Sequence, residues 1–478
     1  MPSAKDFERA LNGVENTKRR FSREANIQYT YESLEELLNN TNDLSAMIKH
    51  HIEHQQPRLN ELDDYYKGNN TAISVMNRRK EDDKADHRAR HNYAKYVSNF
   101  MQGFLVGVPI VMTHSQDAAQ KRIDEVNKAI ESDALNADLI LDMSIYGRAY
   151  ELVHRNQSDE TKVYLSSPLE TFLIYDNTIE KNIVAGVRYF IVGYGHDKKV
   201  KVLLYTPTKI HTYYTTNFGD YNLTFEDTND HPFGDVPLNE HSNNRFRQGD
   251  FENVLDLIDL YDSAQSDTAN YMTDLNDAML KIVGNVDLDP EEAKKMKQSN
   301  IIFLKPSSNN ADGKEGSVDA DYIYKQYDVA GAESYKDRLQ TDVHKFTNTP
   351  DLTDINFSGQ QTGEAMKYKL FGLEQIRINK ERLFIRSLNR RYQLIGNVMS
   401  LASEAKKEEF TGITYKFTPN LPKSTKEAVE MFNALGGELS QKTKLKTIPM
   451  IVENPEEEEQ QIQEERSKQR QASSYMEN

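Results

Sequence analysis

The chain has 478 residues, 59 Lys and Arg against 75 Asp and Glu, a formal net charge of −16, 12 His and no Cys. That length suits two to four domains or one elongated multi-part subunit, and the absence of cysteine excludes disulfide frameworks, thiolate metal sites and cysteine nucleophiles. A uniformly acidic surface repels phosphate, which disfavours a protein that wraps duplex DNA in basic surface but leaves room for one that lets nucleic acid pass without gripping it.

Residues 1–40 are polar and charged, with KRRFSR (18–23) as their basic cluster, and read as a surface arm without the apolar core of a secretory signal. Helical patterning begins near Leu44, is divided by Pro57 and ends at Gly68. Two further helical stretches, 91–107 and 118–147, both close on glycine. The most apolar window, 101–112, is too short to span a bilayer and contains Pro109, so no membrane is expected as a partner. From Arg148 to about Asn239 the runs YELV, KVYL, TFLIYD, VRYFIVGYG, KVKVLLYT and KIHTYYTT predict a mostly antiparallel β region.

Residues 251–283 carry Val254, Ile258, Tyr261, Gln265, Thr268, Met272, Leu275, Met279 and Ile282 at alternating steps of four and three. This stripe, with two polar interruptions, predicts a helical rod of roughly 45 Å. Residues 284–329 form a polar insertion with a small helix (PEEAKKMK), a strand NIIFL, a flexible SSNNADGKEGS and a second strand DYIYKQY. A helix over 330–348, a polar loop and a long helix from about Thr362 to Ala402, roughly 60 Å, follow. In the tail a capping box at 424–427, GlyGly at 436–437 and an Asn454-Pro455 helix start mark further helices, and 471–478 are expected to be disordered. The fold class is therefore α+β, mainly helical and elongated.

Chemical motifs are weak. In HHIEH (50–54), His50 and His54 stand one turn apart, but a third ligand and a water-activating acid are needed and the HExxH order is absent, so a solvated helix face is expected. SGQQTG lacks the Lys-Ser/Thr of a phosphate loop, and DLDPEE lacks the glycine and final Glu of a calcium loop; Asp289 before Pro290 reads as a helix cap. No GxSxG and no nucleophile with its base emerges, so no enzyme, cofactor or metal is expected. Charge is distributed unevenly. Asp250, Glu252, Asp256, Asp259, Asp262, Asp267, Asp274 and Asp277 face one base, Lys281, in the first rod. The long helix carries Lys367, Lys369, Arg377, Lys380, Arg382, Arg386, Arg390 and Arg391. Two solvated faces are the plain reading; in a ring, copies of such helices would line or buttress a channel.

Five strings in order, RLNELDDYYKG (58–68), Asn92 to Pro109 ending GVP, residues 231–266, NFSGQQTGEAMKYKLFGLE (356–374) and residues 436–458, resemble the portal proteins of tailed bacteriophages of the long-tailed siphophage type. The resemblance implies a homo-oligomeric ring, usually of about twelve subunits, at one vertex of the viral head. It would be assembled in the host cytoplasm and would serve as the channel for double-stranded DNA packaging and ejection. The implied partners are the terminase large subunit, which would supply the ATPase, the head-tail connector or adaptor, and the scaffolding and major capsid proteins. The implied parts are an arm (1–40), a wing (41–250), a first stem helix (251–283), a clip (284–329), a second stem helix (330–348), a tunnel loop (349–360), a long wing helix with a return strand (361–420) and crown helices (421–470).

On that assignment Asp351, Asp354, Asn356, Phe357, Ser358, Gly359, Gln360 and Gln361 face the DNA. The polar members of this set offer hydrogen bonds without Lys or Arg, hence contact without the counterion release that makes binding tight. Lys336, Arg338 and Lys345 are candidate weak phosphate contacts, with intersubunit ion pairs as the alternative. The apolar faces of Ile301, Ile302, Phe303 and Leu304, and of Tyr322, Ile323 and Tyr324, exceed what one copy can bury, so these strands are expected to pair between neighbours. A cytoplasmic helical scaffold that does not touch DNA is the second reading, and a metal-dependent hydrolase using His50 and His54 the third.

Overall fold

Pro57 shapes the first long element. The computed structural model describes residues 20–75, 86–216, 222–274, 279–283, 301–304, 319–323, 328–352, 368–420, 439–445 and 454–476, with 291, 295, 430, 432–434, 448 and 452 besides. Helix α2 (Thr41–His50) runs into a π-helical turn (His51–Gln55) and then into α3 (Gln56–Tyr66) without a break. Proline offers no N–H and its ring crowds the carbonyl four residues back, that of Glu53; the wide turn relieves this, with the Gln56 N–H reaching the His51 carbonyl.

The expected surface arm is corrected for residues 20–40. Strand β1 (Tyr29–Tyr31) and helix α1 (Leu34–Asn39) are built into the fold, with Tyr29 and Leu37 buried, and Arg20 is ion-paired with Glu61, Asp256 and Asp259. A three-residue YTY is too short to show alternation, so the sequence pattern hides it.

After α4 (Thr71–Val75) and α5 (Tyr93–Val106), β2 (Val111–Thr113) leads to α6 (Asp117–Ala129) and α7 (Ser132–Tyr146). The single helix expected over 118–147 is thus two, broken where Glu131 takes a left-handed φ of 52°. The break lets Ile123, Val126 and Ile130 share one core with Leu139, Ile140 and Met143. Gly147 closes α7 at φ 80°, and a Cβ there would lie 2.1 Å from the Arg247 carbonyl oxygen, so only glycine fits.

The β region contains β3 (Arg148–Arg155), β4 (Thr161–Ser166), β5 (Thr171–Asp176), β6 (Ile183–Val192), β7 (Lys199–Tyr205) and β8 (Lys209–Thr215), as the runs predict, together with β9 (Thr224–Asp230) and β10 (Leu238–Ser242), whose polar sequences gave no signal. One sheet has the order β1-β5-β6-β7-β8-β9, antiparallel except for β1 on β5. Its inner face, with Phe172, Ile174, Val187 and Val202, packs on Leu37, Leu44 and Ile48 of α1 and α2. A second sheet has the order β10-β3-β4.

Helix α8 (Leu255–Asp274) is shorter than the expected rod. Residues 279–283 form a strand, β11 (Met279–Val283), between β12 (Ile301–Leu304), which it meets in parallel, and β13 (Asp319–Ile323), antiparallel. Met279 and Ile282 fit the helical stripe by spacing, but MLKIV is an unbroken apolar run around one lysine, and such short runs do not distinguish the two periods. Helix α9 (Val329–Thr347) and the long α10 (Phe371–Leu401) follow. The stretch 362–367, expected to begin α10, lies outside the described residues. Phe384, Leu388, Tyr392 and Ile395 of α10 join the core of α6, α7 and β3, and β14 (Thr414–Lys416) pairs with β2.

The chain divides into two compact units, Met1–Pro350 with Leu373–Thr418, and Asp351–Gly372 with Pro419–Asn478. In the second, α11 (Gln441–Leu445) precedes α12 (Pro455–Met476), which starts on the expected Asn454 cap and Pro455. The tail expected to be disordered from 471 is helical as far as Met476, because its Gln, Ala and Ser residues permit helix even though they give no apolar stripe.

Candidate functional site

The helix pair α8 and α9 carries the residues that sequence reasoning singled out. Leu339 and Val343 are buried on α9, and Lys336, only 5% exposed, donates to Gln265 Oε1 at 2.9 Å and pairs with Glu333 at 2.5 Å. Gln265, a polar interruption of the apolar stripe, is thus the acceptor for a buried lysine. Lys336 is thereby corrected as a phosphate contact, because burial and two internal partners occupy its ammonium group. Arg338 is exposed and paired with Asp342 at 2.9 Å; Lys345 is exposed, with Nζ 5.7 Å from the Phe346 ring centroid.

The end of α9 is anchored firmly. Asn348 takes a left-handed φ of 53°, the Tyr96 hydroxyl donates to the Pro350 carbonyl at 2.7 Å, and Asn253 Nδ2 donates to that of Phe346 at 3.1 Å. The His344 ring lies edge-on to Tyr93 and Tyr96. Asp351 is half-buried just beyond this anchor; Asp354, Asn356, Phe357, Ser358, Gly359, Gln360 and Gln361 lie outside the described residues.

Strands β12 and β13 do not pair with each other but flank β11. In register, Ile301, Ile302, Phe303 and Leu304 oppose Leu280 to Val283, and Tyr322 and Ile323 oppose Leu280 and Met279. Sequence reasoning missed the central strand. Tyr324 lies outside the described residues, and among the described residues no strand covers the outer edge of β12 or β13.

The acidic rod and the basic helix meet at the ion pair of Lys380 with Asp250, and their other buried members find partners elsewhere in the same chain, which corrects both the solvated-face and the channel-lining readings for those buried members. Lys380 of α10 reaches Asp250 at 2.5 Å, Arg58 of α3 holds Glu252 at 2.5 Å, and Asp262, fully buried, accepts from Asn70 Nδ2 at 2.8 Å and the His91 N–H at 2.9 Å. Arg390 pairs with Asp235 at 2.6 Å, and Arg377 with Glu374 and Glu381. Arg382 and Arg386 remain exposed. At the centre, Glu151 of β3 accepts from Arg391 at 2.6 Å and from Asn239 at 2.8 Å, with His241 Nε2 at 3.2 Å, all of them buried. Burial alone would raise the Glu151 carboxyl, but Arg391 and His241 more than reverse this and hold it well below the usual carboxylate range. No local pattern couples residues 240 apart in sequence, so this cluster was invisible beforehand.

One motif gains a member. Glu24 Oε2 lies 3.4 Å from His54 Nδ1 and 4.0 Å from His50 Nε2, and the two rings have centroids 4.6 Å apart. His50 Nδ1 lies 3.0 Å from the Tyr29 hydroxyl. Burial, with His54 beside it, holds the His50 imidazole below its ordinary value.

The sequence model of the family described as "Phage portal protein, SPP1 Gp6-like" matches residues 45–472. The portal protein of Bacillus phage SPP1 is 23% identical over 401 residues, spanning 80% of this chain and 77% of that protein. Two solved assemblies also show a likeness. A chain from the neck of an empty GTA particle computed with C6 symmetry has TM-score 0.41 and 11% identity, covering 75% of this chain and 90% of its own. One from the virion of a native gene transfer agent particle has TM-score 0.36 and 12% identity, covering 81% and 91%.

Proposed function

This chain belongs to the SPP1 Gp6-like family of phage portal proteins, and we propose that its copies form a closed ring of about twelve at one vertex of the phage head, through which double-stranded DNA enters and leaves. The family match over residues 45–472 carries this reading. The role is structural: the ring supplies a passage and docking surfaces, and the terminase large subunit supplies the ATPase. Among the described residues no helix is long and apolar enough to cross a membrane.

The chain's own features support the reading. Leu260 and Met272 on α8, and Tyr335 and Phe346 on α9, are 46–52% exposed, apolar surface that a neighbouring copy would cover. The loop after Pro350 offers hydrogen-bonding groups with no Lys or Arg through residue 361, suited to touching phosphates without retaining them. Arg338 and Lys345 add weak phosphate contacts. The outer edges of β12 and β13 pair with neighbouring copies, and this region docks first the terminase and later the head-tail connector. Scaffolding and major capsid proteins contact the wing.

Electron microscopy of the purified protein tests this directly. Top views with about twelvefold rotational symmetry and a hole wide enough for duplex DNA are expected. Monomers, open filaments or small oligomers without a hole would favour the scaffold reading. Replacing residues 353–361 by a Gly/Ser stretch is expected to leave the ring intact and reduce the DNA packaged by at least about tenfold, since the contacting groups are removed while the anchor at Tyr96 and Pro350 is kept.

A further inference from the structure

Glu24, His50 and His54 come from two elements. The first sits in a short 3-10 turn at the start of the described chain, and the other two flank or lie in the π-helical turn before α3. One ligating atom from each lies within 4.8 Å of the others. A tetrahedral zinc ion with bonds of about 2.0–2.1 Å holds its ligand atoms roughly 3.3–3.4 Å apart. The Glu24 to His54 separation of 3.4 Å already meets that, while the 4.0 Å to His50 and the remaining imidazole–imidazole separation, within 4.8 Å, must shorten by side-chain rotation on binding.

We propose that this trio binds one borderline divalent cation per chain, of the Zn2+ or Co2+ class, through His50 Nε2, His54 Nδ1 and a Glu24 carboxylate oxygen, with water completing the shell. The donor set decides the class: two imidazoles and one carboxylate suit Zn2+ and Co2+, whereas Ca2+ and Mg2+ take oxygen donors throughout. Tyr29 orients the first ligand. With His50 Nδ1 protonated and donating to the Tyr29 hydroxyl at 3.0 Å, Nε2 presents its lone pair to the site. Tyr29 is itself 7% exposed and pinned in β1, so the ring is held from behind. The ion would act as a staple, joining the N-terminal turn to the π segment. Glu53, the acid within HHIEH, lies 4.0 Å from Lys49 Nζ and is not part of the trio.

The competing arrangement is a plain ion pair between Glu24 and protonated imidazoles, which would hold no metal. Full-length protein without a polyhistidine tag, stripped by chelator and desalted, is titrated with Zn2+ alone by calorimetry and with Co2+ alone by visible absorption. Expected are one Zn2+ per chain, d–d bands of four-coordinate Co2+ and a Tm raised by Zn2+. E24Q and H54A, both at partly exposed positions, are expected to weaken binding by at least tenfold and to abolish the Tm rise, and Y29F to weaken it by about tenfold. Ring size and circular dichroism confirm that each variant is folded. No saturable binding by the wild type, or binding unchanged in both E24Q and H54A, overturns the proposal.

Discussion

At the scale of single residues, buried charges decide most. Glu151, Arg391 and His241 are fully buried together, so removing one partner strands the others without water. Arg391→Met is therefore expected to cost about 3–5 kcal/mol, read as a lowered urea midpoint, whereas an exposed neighbour such as Arg386→Met changes stability by less than about 0.5 kcal/mol. Asp142 on α7 acts in the opposite sense. Burial, with Asp138 and Asp63 nearby, pushes its carboxyl up to about 7. The unfolded chain releases this proton near 3.8 and the folded chain near 7, so folding retains a proton between those values and stability falls as pH rises through the window. Because Asp142 is only half-buried, the fall is on the order of 1–2 kcal/mol. The change in urea midpoint between pH 5 and pH 8 should differ between the wild type and Asp142→Asn by that amount, the buried histidines acting alike in both; Glu151, held far below both values, stays ionised throughout.

At the scale of elements, the three-stranded β12-β11-β13 sheet depends on its middle member. Lys281 pairs with Ile302 on one side and Asp321 on the other, so Lys281→Pro removes a ladder donor and restricts the centre of the sheet. Hydrogen exchange at 301–304 and 319–323 is expected to quicken by tenfold or more, about 1.4 kcal/mol, while strands β3 to β8 keep their protection. The same strand shows what the sequence could and could not reveal. Long amphipathic stretches such as α9 and the β-branched runs of β3 to β8 announce themselves, because one face repeats often enough to be seen. The apolar residues of β11 fit both periods, so spacing alone assigns it to the helical stripe. β9 and β10 were missed because their side chains are mostly polar and their place comes from neighbouring strands. In the candidate site, the anchoring of Pro350 by Tyr96 and the capture of Lys336 by Gln265 depend on contacts between distant segments, which no local pattern encodes.

At the scale of the whole molecule, the proposed ring would link stability to assembly, since apolar surface on α8 and α9 is exposed in the single chain. A chain ended after Pro350 is expected to aggregate and form no ring by size-exclusion chromatography, although it retains every strand of the six-stranded sheet. It would lack the α10 residues Phe384, Leu388, Tyr392 and Ile395 that complete the core, and would leave Glu151 and Asp250 without Arg391 and Lys380. Recovery of the truncated chain when residues 351–478 are supplied separately, and its loss when that fragment carries Arg391→Met and Lys380→Met, would identify the α10 contacts as the cause. During synthesis, the same arrangement means that β3 leaves the ribosome some 240 residues before its counter-charge. The first unit therefore cannot close until α10 has been made, and a nascent chain stalled before Arg391 presents an incomplete core with Glu151 still unpaired by arginine.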